Sequence, residues 1–211
     1  MAYATYDEPP PALDERARMT VRLTLLCAAA RTERAVRFAD GPLDERALHR
    51  VRALAGTLPR AATRWTAPSR RCTETARTLG WESVTPQPAL RDLDMGSWYG
   101  RTLDEVAATD APGLGSWLAD PDAAPHGGES VAQLCERVAA WLDALPSDAG
   151  RVLAVVEQAV ARAAVVHALT APHEAFWRVD VPPLSTVELS GRGGRWNLRM
   201  AELPLGPRPP R

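Results

Sequence analysis

The most restrictive feature of the sequence is an alternation of short apolar runs with segments of helical periodicity. Two runs, Val21 to Leu26 and Val152 to Val156, have the length and apolar content of fully buried strands. Further strands are predicted at Ala62 to Trp65, Leu184 to Leu189 and Trp196 to Met200, with a glycine turn at 191–194 between the last two. Strands that alternate with helices predict a mainly parallel sheet with helices on both faces.

Helix boundaries are also marked in the sequence. Thr102 with Glu105, and Ser130 with Gln133, match the capping box, and the second pair leads a clear amphipathic pattern. Pro68 is predicted to occupy the first position of another helix. Helical spacing also covers 43–58 and a segment from Gln158 to Leu169. In this type of sheet, functional sites lie at the carboxyl ends of the strands.

Composition excludes several classes of function. The 211 residues carry a net charge of −1, which argues against nucleic-acid or membrane-surface binding through bulk charge. All basic residues are arginines, so a lysine nucleophile, a lysine Schiff base and a phosphate-loop lysine are excluded. Three cysteines without metal-ligand spacing do not form a disulfide framework. No apolar run approaches the about 20 residues of a membrane span, and no signal peptide is recognisable, so we expect a cytoplasmic protein without a cofactor.

The chain ends differ in composition from the centre. Residues 1–19 contain three consecutive prolines and mixed charges, and they are predicted to form a disordered leader. Residues 204–211 contain four prolines and are predicted to form a loose tail. The segment 20–203 is then one domain, a length that suits a single core.

Five separated motifs follow the predicted strands and begin the predicted helices. They read Cys27-Ala28-Ala29, then A-P-S-R-R-C-T-E-T-A at 67–76, L-R-D-L-D-M-G-S-W-Y-G at 90–100, Gly128-Glu129-Ser130, and Glu157-Gln158-Ala159. In order and spacing the chain resembles the histidine phosphatase superfamily, the phosphoglycerate-mutase-like phosphatases. The resemblance covers most of residues 20–203 and implies a three-layer α/β/α sandwich. It also implies that the chain can form a homodimer, as family members often do.

The residues at the centre of the resemblance are altered. In the family, a first histidine attacks phosphorus, while two arginines and a second histidine hold the phosphoryl oxygens and an acidic residue protonates the leaving group. Here Ala28 stands for the first histidine, Cys27 for the first arginine and Glu157 for the second histidine. Arg71 matches the second arginine, and Asp92 is the counterpart of the general acid.

The change of charge argues against phosphoryl transfer. Two like charges about 4 Å apart repel by about 4 kcal/mol at an effective dielectric constant near 20. A phosphate dianion beside an ionised Glu157 is therefore disfavoured, whereas phosphoryl transfer requires cationic groups. We expect that the protein is not a phosphatase or mutase of the phosphohistidine type.

Three functions remain open. The first is a pseudophosphatase whose converted pocket binds a small metabolite. The second is an acid–base enzyme, an isomerase, lyase or hydrolase, in which Glu157 is the base and Asp92 the acid. The third is a protein-interaction module. The alternative for Glu157 is a carboxylate that only pairs with Arg71 in an unused site, and the alternative for Asp92 is a structural turn residue.

The candidate ligand-binding residues are Arg71, His126, Glu129, Cys27 and Ala28. His126 lies in the loop that borders the pocket in the family, and Glu129 is the counterpart of a residue that orders the pocket arginines. The alternative for His126 is a histidine in a surface loop without a role in binding. No metal is predicted, because one cysteine with two carboxylates is a weak zinc pattern. A basic cluster, Arg31, Arg34 and Arg37, follows the altered loop and either recruits an anion or is simply solvated.

Overall fold

The structure is a computed structural model that describes residues 20–30, 36–82 and 84–200. Its strands are β1 (Val21–Cys27), β2 (Thr63–Thr66), β3 (Thr85–Pro86), β4 (Arg151–Val156), β5 (Thr186–Arg192) and β6 (Arg195–Arg199). Its α-helices are α1 (Glu45–Ala53), α2 (Arg70–Thr78), α3 (Leu103–Thr109), α4 (Ala111–Ala119), α5 (Val131–Asp143) and α6 (Gln158–Ala168). The predicted leader, the predicted tail, Arg31 and Arg34 lie outside the described residues.

The six strands form one sheet in the order β3-β2-β4-β1-β5-β6. The pairs β3–β2, β2–β4 and β4–β1 are parallel, whereas β1–β5 and β5–β6 are antiparallel. In the register, Cys27 lies opposite Val156, and Thr66 lies opposite Val155. The carboxyl ends of β1, β4 and β2 are therefore side by side, which brings the residues that follow each strand to one place.

Helices cover the sheet on both faces, as the alternation predicts. The strands β1 and β4 are buried along almost their whole length, which is typical of strands that are covered on both sides. Helix α1 packs against α2, and α5 packs against α6. The mixed, mainly parallel α/β/α architecture is thus confirmed.

The observed helix starts agree with some of the local sequence signals and differ from one. Both capping boxes are formed, at Thr102–Glu105 and at Ser130–Gln133. The prediction for Pro68 is wrong: α2 begins at Arg70, and Ser69 is its N-cap, because the Ser69 hydroxyl accepts a hydrogen bond from the Cys72 N–H.

Three elements carry no clear sequence signal. Strand β3 has only two residues, one of them a proline. Helix α4 contains Pro112 and two glycines, which are poor helix formers, although Asp110 caps its first turn. A 3₁₀ segment, His173–Arg178, packs against α6. Within the part of the chain that the structure describes, no helix is both long and apolar enough to cross a membrane.

Candidate functional site

A cavity of about 470 Å³ opens at the carboxyl end of the parallel strands. Five of the predicted residues line it: Cys27, Ala28, Arg71, Asp92 and Glu157. They come from the loop after β1, the first turn of α2, the segment after the 3₁₀ turn Pro88–Leu90, and the junction of β4 with α6. The site therefore lies where the topology of the sheet predicts it.

Glu157 forms the floor of this cavity. Its side chain is only 8% exposed, and it points away from its own helix, for which it provides no capping hydrogen bond. Instead its carboxylate accepts hydrogen bonds from the Ser69 hydroxyl at 2.6 Å and from the Cys72 thiol at 3.6 Å. Arg71 Nε also donates to Oε1 of Glu157 at 3.3 Å, and Arg71 Nη2 lies 3.1 Å from Oε2. Both carboxylate oxygens of Glu157 are thus occupied by protein donors.

Arg71 is surrounded by carboxylates. Besides Glu157, Asp92 lies 3.8 Å from Nη2 and Asp40 lies 4.0 Å from Nε. Asp40 also accepts hydrogen bonds from the backbone N–H groups of Arg70 and Arg71, at 2.6 and 3.2 Å, and so satisfies the free donors at the start of α2. Three carboxylates therefore share one guanidinium.

Burial, and after it the negative charge of Glu157, shifts the pKa values of the neighbouring groups. Burial and the Glu157 carboxylate raise the pKa of Asp92 to about 7. Cavity water nevertheless reaches the group, since 42% of the Asp92 side chain is exposed. Burial lowers the pKa of Arg71, but Glu157 and Asp92 raise it by more, so the net direction is upward. Asp92 is thus a carboxyl group that exchanges a proton near neutral pH.

At the start of the loop after β1, Cys27, Ala28 and Ala29 offer neither an activated nucleophile nor a free backbone N–H group. Ala28 is buried, its N–H donates to the carbonyl oxygen of Val156 at 2.8 Å, and the N–H of Ala29 donates to the Thr75 hydroxyl at 3.2 Å. Burial raises the pKa of the Cys27 thiol to about 12, with a further contribution from Glu157. Cys27 is therefore a protonated, unreactive thiol on the cavity wall.

Two predicted ligand-binding residues do not line the cavity. His126 is buried between Trp98 and Trp117, at ring-centroid distances of 5.1 and 6.4 Å, and its Nδ1 accepts a hydrogen bond from the Gly128 N–H. Burial lowers its pKa. Glu129 is paired with Arg91 and Arg137 rather than with Arg71. Both side chains therefore contact neighbouring protein groups and do not line the cavity.

Sequence reasoning missed much of the cavity wall. Asp40, Ser69 and Arg162 contribute polar groups, and an aromatic side of the cavity consists of Phe38, Trp117, Phe176 and Trp177. Arg37, from the predicted basic cluster, also lines the cavity, but it is turned to the Gly100 carbonyl and lies 3.8 Å from Glu105. No local signal marked Arg162, because a residue five positions after Glu157 lies about 1.4 helical turns further on, on a different face of the helix.

A metal site in the cavity would need several ligating side chains that converge on one point. Among residues 20–30, 36–82 and 84–200, no group of three or more histidine, cysteine, aspartate or glutamate side chains is arranged so that it could hold a metal ion. The three carboxylates converge on Arg71 instead.

Comparison with known proteins identifies the family. The sequence profile of the histidine phosphatase superfamily (branch 1) matches residues 27–203. No curated protein sequence matches the chain.

Many solved structures share the fold. A mycobacterial glucosyl-3-phosphoglycerate phosphatase is 24% identical, with a TM-score of 0.71 over 85% of this chain and 97% of that chain. An alpha-ribazole phosphatase from Shigella flexneri is 21% identical, with a TM-score of 0.74 over 84% and 94% of the two chains. A mutant phosphoserine phosphatase from Entamoeba histolytica is 16% identical, with a TM-score of 0.75 over 85% and 95%. Because the profile covers most of the sequence and these structures share its architecture, the chain belongs to the histidine phosphatase superfamily.

Proposed function

We propose that this protein binds a small metabolite in the cavity and has lost phosphohistidine chemistry. The observation that carries the proposal is the pairing of Arg71 with Glu157: both carboxylate oxygens lie within 3.3 Å of the guanidinium nitrogens. The arginine that would hold a phosphoryl group is therefore already neutralised by a buried carboxylate. A phosphate dianion at this place would face Glu157, Asp92 and Asp40 together.

The loop after β1 supports the same conclusion. Ala28 has no lone pair with which to attack phosphorus, and the neighbouring Cys27 is a protonated thiol. The N–H groups of Ala28 and Ala29 are bound within the protein, so they are not free to hold phosphoryl oxygens. Neither Cys27 nor Ala28 is then suited to attack phosphorus, and the N–H groups of Ala28 and Ala29 do not stabilise a transition state.

One structural neighbour indicates why the proposal rests on Glu157. The Entamoeba histolytica protein is a histidine-to-alanine mutant in complex with phosphoserine. In that protein, removal of one histidine is thus compatible with binding of a phosphorylated ligand. For this chain the argument therefore rests on the added carboxylate, rather than on Ala28 alone.

The test compares the wild type with Glu157→Gln. We expect no turnover of p-nitrophenyl phosphate by either protein, because neither has a nucleophile. Orthovanadate and inorganic phosphate should bind at least about 10-fold more tightly to Glu157→Gln, since removal of one like charge at this distance is worth more than 1.4 kcal/mol. Isothermal titration calorimetry measures the affinities.

Glu74→Gln is the matched control. Glu74 lies on the same helix, α2, and pairs with Arg70 at 2.9 Å without lining the cavity, so its removal should leave anion affinity unchanged. Turnover of p-nitrophenyl phosphate by the wild type that disappears in Arg71→Ala and Asp92→Asn would refute the proposal.

A second candidate function, acid–base catalysis on a small metabolite, is favoured by the raised pKa of Asp92. Its carboxyl group faces the cavity and titrates at about 7. Glu157 is less suited to be the base, because Ser69, Arg71 and Cys72 already donate to it. Once a ligand is found, any turnover should stop in Asp92→Asn while ligand affinity is retained. Equal turnover in wild type and Asp92→Asn would exclude this function.

A further inference from the structure

Arg162 places a guanidinium on the wall of the cavity. It lies on α6, and within the described ranges it forms no ion pair shorter than 4 Å. Its Nε is buried and has no hydrogen-bond acceptor. The guanidinium lies 5.6 Å from the ring centroid of Phe176 and 6.0 Å from that of Trp177. Aromatic faces are its main contacts.

This arrangement leaves Arg162 with unused binding capacity. Burial lowers its pKa, while Asp180 raises it, but a guanidinium remains charged at neutral pH. A half-buried cation with unsatisfied donors is stabilised by any anion that can reach it, and a carboxylate fits the guanidinium in two parallel hydrogen bonds. By contrast, Arg71 is already bound by its three carboxylates.

The surface around the cavity entrance is unusually apolar. Among the described residues, five large hydrophobic side chains are exposed, and three of them line this cavity: Val36 at 68%, Tyr99 at 61% and Leu118 at 49%. Inside, Trp117 and Trp177 pack edge to face with centroids 4.5 Å apart. Exposed apolar side chains that cluster at one cavity indicate a ligand with an apolar body.

We propose that the cavity binds an apolar carboxylate, whose aromatic or branched aliphatic body lies against Trp117 and Trp177 and whose carboxylate pairs with Arg162. This inference rests on the proposed function and names the ligand class for the same cavity. A ligand with a single negative charge is preferred to a dianion. Arg162 can compensate one negative charge, whereas Glu157, Asp92 and Asp40 repel a second one.

The experiment uses three probes of the same shape: 2-naphthoate, 2-naphthamide and 2-naphthyl phosphate. Isothermal titration calorimetry on the full-length protein measures their affinities for the wild type and for Arg162→Gln. We expect naphthoate to bind the wild type about 10- to 100-fold more tightly than naphthamide, the range for hydrogen bonds to charged groups. In Arg162→Gln this preference should disappear, while the weak binding of naphthamide should remain.

Arg64→Gln is the matched control, because Arg64 also lies over an aromatic ring, that of Trp81 at 5.3 Å, but outside the cavity. It should leave the affinity for naphthoate unchanged. Thermal unfolding of each variant verifies that it is folded, and Arg162→Lys should retain part of the preference for the carboxylate.

The outcomes separate this inference from the proposed function. Equal binding of naphthoate and naphthamide, an unchanged affinity in Arg162→Gln, or no binding of naphthoate would each overturn the role of Arg162, while the vanadate experiment on Glu157 would still stand. Tightest binding of naphthyl phosphate, or its hydrolysis to naphthol, would overturn both proposals.

Discussion

Two buried glutamates of this protein form similar ion pairs with arginine in different surroundings. Glu129 and Glu157 are equally buried, each with 8% of the side chain exposed, and each binds an arginine through two nitrogens. Around Glu129 two arginines, Arg91 and Arg137, share one carboxylate. Around Arg71 three carboxylates share one arginine. In the first cluster Arg137 and Glu129 are buried and Arg91 is turned to the outer surface, whereas the second cluster faces the cavity.

The surroundings explain the difference. Arg137 also donates to the backbone carbonyl oxygens of Ala89 and Arg91, at 2.7 and 3.0 Å, so the Glu129 cluster fixes the segment that carries Asp92. The Arg71 cluster retains a net negative charge and a titratable Asp92 that water can reach. Complete satisfaction of partners is typical of a structural ion pair, and an unbalanced charge beside a cavity is typical of a binding site.

The largest expected effect is on stability in Glu129→Ala. Removal of this carboxylate leaves Arg137 largely buried without its partner, so we expect a loss of about 3–5 kcal/mol in the free energy of unfolding. Urea denaturation measures it. Glu136→Ala, an exposed glutamate on the same helix, should change stability by less than about 0.5 kcal/mol. Equal effects of the two variants would show that the Glu129 cluster is not structural.

A smaller effect is expected for Glu157→Ala. Arg71 keeps Asp92 and Asp40 as partners, and cavity water can replace the lost contacts, so the loss should be about 1–2 kcal/mol. The same urea experiment provides the comparison. A loss as large as that of Glu129→Ala would contradict the distinction between the two clusters.

Ser69→Ala tests the link between α2 and the cavity floor. Ser69 caps the helix and donates to Glu157, so we expect a loss of about 1 kcal/mol, with Ser69→Thr close to the wild type. Thermal denaturation of the wild type and the two variants measures these differences in stability. If the alanine variant were as stable as the wild type, the capping interaction would be unimportant.

The smallest effect is the pH dependence contributed by Asp92. An aspartate has a pKa of about 3.9 in an unfolded chain, and the pKa of Asp92 is raised to about 7 in the folded protein. The folded state therefore binds this proton more tightly. The contribution of Asp92 to stability is complete below about pH 4 and is lost as the pH rises through about 7.

Asp92→Asn should remove this part of the pH dependence. Its melting temperature relative to the wild type should rise between pH 4 and pH 8, by only a few degrees, because water reaches 42% of the side chain and screens the charges. If the melting temperatures of the two proteins changed equally with pH over this range, the pKa of Asp92 would not be raised in the folded protein.

Local sequence patterns predicted most of the fold. The apolar runs of β1 and β4, the capping boxes of α3 and α5, and the glycine turn before β6 act over a few residues, and all are present in the structure. The proline of β3 and the glycines of α4 oppose the structures that they adopt. These elements depend on neighbours distant in the chain, which a local pattern does not contain.

The same limit applies to the site. The motifs placed Arg71, Asp92 and Glu157 together, because they follow strands whose carboxyl ends are adjacent in a parallel sheet. They placed His126 and Glu129 at the cavity as well, but packing against Trp98 and pairing with Arg137 hold those side chains elsewhere. Side-chain direction depends on packing, which the spacing of motifs does not specify.

By itself, therefore, the sequence determined most of the strands and helices in their order and, through the resemblance of its motifs, the family. Only the tertiary structure decided that Asp40, from a loop 31 residues before Arg71, joins the carboxylates. It also decided that Arg162 lies against an aromatic wall and, in the part of the chain that the structure describes, forms no ion pair shorter than 4 Å. Charge balance and cavity shape result from contacts between segments far apart in the chain. They are therefore properties of the folded protein that no local pattern encodes.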